Sequence, residues 1–163
     1  MRIFAPCLSI YTSIVKWYWA SIHKIKYSLK NFFYCLCLEI LAFIVVKSLN
    51  LNFFYLNSKF ETLNVSFLIS ILVAAPVIEE FIFRKPFFLV IEKLKLEKFY
   101  PIILLFSCLV FSIVHSLTTL KIPVPQFILG YFTFKVGYKY GIFYSILLHF
   151  LNNAAAILIS LFF

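Results

Sequence analysis

Charge is what this chain has least of. Only 13% of its 163 residues are charged, and just six are acidic against fifteen basic. A soluble domain of this length cannot hide the 64% hydrophobic residues and 22 phenylalanines that accompany so few charges, which excludes a soluble globular protein. The four cysteines build no framework: Cys35 and Cys37 are separated by one residue, and Cys7 and Cys108 stand alone, so neither a disulfide scaffold nor a CxxC redox pair is indicated. No HExxH pair sets two histidines on one helix. Internal repeats, soluble linkers and a second domain are missing too. The apolar N-terminus is not followed by a small-residue cleavage pattern of the kind that ends a signal peptide.

What the chain does have is length without charge. Twenty-two residues between Lys98 and Lys121, and 24 from Tyr140 to Phe163, each suffice to cross about 30 Å of hydrocarbon as helix. Residues 62–78 are a further 17 uncharged positions, and apolar character resumes in "PFFLVI", so one long helix over about 62–92 is expected, bent at Pro86. Another span is expected over about 32–56, where Glu39 and Lys47 ask for partners. Residues 122–134 give only 13 uncharged positions and reach spanning length by extending toward Lys139. The N-terminal 30 residues mix lysines with Trp17, Tyr18 and Trp19, the pattern of an interfacial or partly inserted helix, with a sixth span left open. The expected fold is therefore all-α: a polytopic membrane bundle of about five helices with a cavity inside it. Its parts are an N-terminal segment (1–30), an accessory transmembrane region (31–60) and a core (62–163).

The lysines and arginines orient the bundle. Lys16, Lys24, Lys26 and Lys30 precede the first span, Arg84, Lys85, Lys93, Lys95 and Lys98 crowd the connection after the second, and Lys135 and Lys139 precede the last. With five spans these clusters share one side, leaving Lys59 and Lys121 opposite, and that side is expected to be cytoplasmic. Topology thus accounts for the net charge of +9. No soluble basic face or recognition motif points to nucleic acid.

Against this background the stretch "VAAPVIEEFIFRKPFF" is conspicuous. Glu80 and Arg84 are four apart with the acid first, the favourable order for a helical ion pair, while Glu79 faces about 100° away. At about 1.5 Å per residue, Glu79 lies about 21 Å from the basic side, His115 about 25 Å and His149 about 15 Å, one slab of membrane. "FSIVH" sets Phe111 and His115 on one face, and "HFLNN" does the same for His149 and Asn153, with Asn152 on another. Arg84 and Lys85 alone would be ordinary snorkelling residues, and single intramembrane histidines often only tie helices together. Adjacent glutamates inside a membrane point toward function.

These three stretches, "EEFIFR", "FSIVH" and "HFLNN", match in order the EExxxR, FxxxH and HxxxN/D patterns of the CAAX prenyl protease and bacteriocin-processing (CPBP or Abi) family of intramembrane endopeptidases, which the chain resembles over about residues 65–160. It departs from that pattern after Arg84, where family members commonly have glycine and this chain has Lys85 and Pro86. The resemblance implies peptide hydrolysis, with Glu79 and His115 activating water, His149 and Asn153 stabilising the oxyanion, and Glu80, Arg84 and Phe111 supporting them. No cofactor is needed by that mechanism. A zinc ion on Glu79, His115 and His149 is the alternative within the same arrangement.

Two other classes stay open: a catalytically inactive membrane partner or immunity protein that keeps the polar cluster for helix association, and a small transporter. The transporter is disfavoured because paired broken-helix repeats are missing. The expected partners are membrane lipids and a peptide or membrane-associated protein substrate, with or without a lipid. CAAX cleavage, maturation of small secreted peptides and bacteriocin defence are not distinguished by any residue here. A multi-pass location, by default in the cell membrane, completes the expectation.

Overall fold

A computed structural model of the chain describes residues 4–48, 64–117 and 123–162. Among them no strand occurs, and five helices account for nearly all of the backbone.

Helix α1 (Phe4–Ser48) is 45 residues long. From residue 7 onward it contains neither glycine nor proline, so nothing in the backbone interrupts it. The sequence predicts an interfacial or partly inserted segment to residue 30 and a span over about 32–56; one helix joins the two and runs to Ser48, and residues 49–63 lie outside the described structure. The inner half of α1 packs on the bundle through Ser28, Asn31 and Cys35, all buried. Trp17 and Trp19, 72% and 64% exposed, stand clear of it.

Helix α2 (Val65–Leu94) covers the expected second span. Asn64 caps it by accepting from the Phe67 N–H at 2.8 Å. A π-turn at Ser70–Ala74 precedes Pro76, and a local break falls at Arg84, two residues before Pro86. Phe83's carbonyl at that break accepts from the Ser107 hydroxyl at 2.8 Å and from Arg84 Nη1 at 3.3 Å. Lys95, with φ of 52°, ends the helix.

A short turn leads into α3 (Tyr100–Ser116), followed by α4 (Val124–Tyr140) and α5 (Ile142–Phe162). Gly141, at φ 102°, makes the corner between the last two. Helix α4 has only 17 residues and carries Lys135 and Lys139, yet it is the most enclosed, burying Leu129, Phe132, Thr133, Phe134 and Val136 among α1, α3 and α5. Gly137 permits the closest approach: a Cβ there would come within 2.9 Å of the Phe88 ring and 3.0 Å of Ser145 Cβ.

Four stretches are long and apolar enough to cross a membrane, Ser13–Val46, Val65–Leu94, Glu97–Ser116 and Ile142–Leu161, and α4 fills the space among them. Outward-facing Ile69, Ile102, Phe106, Phe143 and Leu158 are all more than half exposed, a surface suited to lipid. The protein is a multi-pass membrane helix bundle. At one end of the bundle Lys139 sits 4.4 Å over the Tyr27 ring, Lys24 5.9 Å over Tyr144, and Tyr100 packs 4.8 Å from Tyr138, while Arg84, expected in a basic connection, is buried inside the bundle. Lys59 and Lys121, expected opposite, lie outside the described residues.

Candidate active site

The two glutamates of α2 face different neighbours, as their 100° separation requires. Glu80 is fully buried. Its Oε2 lies 3.6 Å from Arg84 Nε, one turn along the same helix, and beside the hydroxyl of Ser145. Its Oε1 accepts from His149 Nδ1 at 2.9 Å. Arg84, also fully buried, donates from Nε to Thr133 Oγ1 at 3.1 Å and stacks its guanidinium 4.3 Å over the Phe111 ring. An intramembrane ion pair needs partners for its remaining donors and acceptors; Thr133 of α4 and Ser145 and His149 of α5 supply most of them, and Arg84 Nη2 alone is buried without a hydrogen-bond partner among the described residues.

Glu79 is different: its side chain keeps 23% exposure, and a single oxygen, Oε2, lies 3.6 Å from both His115 Nε2 and His149 Nε2. The partners on the far side of each ring assign the tautomers. Nδ1 of His115 donates to the Phe111 carbonyl at 2.8 Å, and Nδ1 of His149 donates to Glu80. In their neutral forms both rings therefore turn an acceptor nitrogen toward Glu79. Phe111 is the floor, fully buried, with its centroid 4.4 Å from the His115 ring and 5.9 Å from the His149 ring.

Three groups from α2, α3 and α5 thus meet where the depth estimate puts them in one slab. Asn153 does not join them directly. Its Nδ2 donates at 3.0 Å to the carbonyl of Ile71, inside the π-turn of α2. The reason lies in the backbone. The Ala75 N–H bonds back to Ser70, so in the same π register the donor for Ile71 would be residue 76, and Pro76 has no N–H. Asn153 supplies the missing donor and retains a second amide proton.

Thr133 and Ser145 are members of this network that the motifs did not indicate. Ser145 had one available signal, its place four residues before His149 on the same face. Thr133, on a helix without a motif, had none. As for a metal, Glu79, His115 and His149 are the only set the site offers, and no group of three or more His, Cys or Glu side chains among the described residues is disposed to hold an ion.

No curated protein and no solved structure matches the chain. The family model of the type II CAAX prenyl endopeptidases, Rce1-like, matches residues 61–155, more than half of the chain. That interval takes in Glu79, Glu80, Arg84, Phe111, His115, His149 and Asn153 together, and the chain belongs to the Rce1-like family of type II CAAX prenyl endopeptidases.

Proposed function

We propose that the protein is an intramembrane endopeptidase in which Glu79 is the general base. The observation that carries this is the pair of imidazole nitrogens, each 3.6 Å from one oxygen of Glu79. Two acceptors, Glu79 Oε2 and His115 Nε2, facing one point suit a molecule with protons to give, and a water placed there is aligned by His115 and deprotonated by Glu79 as its oxygen attacks the scissile carbonyl. Electrostatic balance supports the assignment. Glu79, Glu80 and Arg84 sum to one negative charge, and one proton shared among Glu79 and the two histidines brings the cluster to neutrality in a medium that penalises net charge. With that proton on His149, its Nε2 becomes a donor to the oxyanion formed as the carbonyl π electrons move onto oxygen, and the second amide proton of Asn153 is the other donor. Collapse of the tetrahedral intermediate breaks the C–N bond, and Glu79 returns its proton to the leaving amine. Glu80 and Arg84 hold His149 from behind.

The family supports a membrane-associated protein substrate with a prenylated C-terminus, and the cell membrane is the location proposed. The test is cleavage of a fluorogenic farnesylated peptide ending in a CAAX sequence by purified, reconstituted protein. Cleavage that is abolished by Glu79→Gln and persists in chelator is the expected result. Normal cleavage by folded Glu79→Gln protein refutes the assignment, and activity lost to chelator and restored by zinc replaces it with a metal mechanism.

A further inference from the structure

Glu39 is the only acidic residue in α1, a helix outside the matched interval, and it lies within an apolar stretch long enough to span a membrane. A carboxyl there needs a reason. Among the described residues no cation pairs with it. Its Oε1 instead accepts from Asn152 Nδ2 at 3.3 Å and from the Cys35 thiol at 3.4 Å, and that thiol also lies 3.8 Å from Asn152 Oδ1.

The position of Asn152 gives this joint its meaning. Successive residues on a helix point about 100° apart, so Asn152 and Asn153 tether α5 in two directions, the first to α1 and the second to the Ile71 carbonyl of α2. Ser145, His149 and Asn153 all bond toward α2, so the bond from Asn152 to α1 adds a hold from another side that opposes a residual turn of α5. His149 sits one turn earlier on the same helix. A rotation of about 10° would carry its outer nitrogen about 1 Å sideways, enough to misalign a reacting group. We propose that Glu39 is a positioning residue for the site: through Asn152 it fixes the rotation of α5, and with it the aim of His149 at Glu79. This rests on the reading of His149 as part of a hydrolytic site, but the joint is testable without catalysis.

The chain has three histidines, so selective ¹⁵N-histidine labelling resolves each ring in the full-length protein. Glu39→Ala should shift the ring signals of His149 while leaving those of His23 unchanged. Asn152→Ala should do the same from the other side of the joint. Glu39→Gln, whose amide oxygen still accepts from Asn152, should restore most of the wild-type spectrum. Cleavage of the farnesylated peptide by Glu39→Ala should fall about tenfold in kcat with KM within about twofold. A folded Glu39→Ala protein whose His149 signals match wild type overturns the proposal whatever its activity; if that variant does not fold, unchanged His149 signals in Asn152→Ala overturn it equally. Wild-type protein that leaves the peptide intact counts against the peptidase reading alone, because the spectra still decide the joint.

Discussion

Glu79 and Glu80 are neighbours in the chain and opposites in the structure. Glu80 is sealed among Arg84 of its own helix and Ser145 and His149 of α5. Glu79, one residue earlier, keeps access to a space bounded by two imidazole nitrogens. One step of helix thus separates a carboxylate that is held from one that can accept a proton. The difference teaches how a membrane protein keeps one carboxylate accessible: the expensive burial is met by its neighbour, whose ion pair anchors the helix and whose carboxylate holds the shared histidine.

The sharpest way to break this contrast is to neutralise each glutamate's side of it separately. Glu79→Gln should lower cleavage per folded molecule by at least about 10³-fold while thermal unfolding stays near wild type, since the amide keeps the size but cannot take a proton. Arg84→Ala should act on the other side, destabilising by about 3 kcal/mol in a detergent unfolding assay because Glu80 is left buried without its cation. If Arg84→Ala lowers activity without lowering stability, the two sides are not divided as described. Asn153→Ala should reduce kcat by about 10²-fold if the oxyanion role we propose for it holds, and Asn153→Asp, which cannot donate when ionised, should not rescue it. The smallest effect is expected for Gly137→Ala, about 1–2 kcal/mol of lost stability, because the new methyl meets Phe88 and pushes on Ser145, one of the groups holding Glu80.

The half of the site to which we assign the chemistry was largely legible in the sequence. Glu79, His115 and His149 each interrupt a long apolar run, and helical rise alone puts them at similar depth, because in a membrane a polar residue has few places to go. The Glu80–Arg84 pair followed from its four-residue spacing. The supporting half was not legible. Thr133 and Ser145 are ordinary hydroxyl residues whose importance comes from contacts 49 and 65 residues away, and no periodicity announces such pairs. The role of Asn153 as donor to Ile71 depends on a π-turn, which exists only because of how residues 70–76 hydrogen-bond, and α4 owes its burial to its central place rather than to its modest apolar length. The continuity of α1 through residue 30 was not legible either, because lysines and tryptophans mark where a membrane surface passes and not where a helix stops.

That continuity has a mechanical consequence. Forty-five residues of helix make a rod about 67 Å long, more than twice the depth of a bilayer's hydrocarbon. Its inner half is clamped to the bundle through Cys35 and Glu39, while its outer half carries Trp17 and Trp19 without support. With no flexible joint between them, the rod is a lever whose fulcrum is the row of tyrosines at the basic end. A tilt forced on the outer arm, by membrane thickness or surface curvature, would load the inner arm in the opposite sense, at the depth where Glu39 bonds to Asn152.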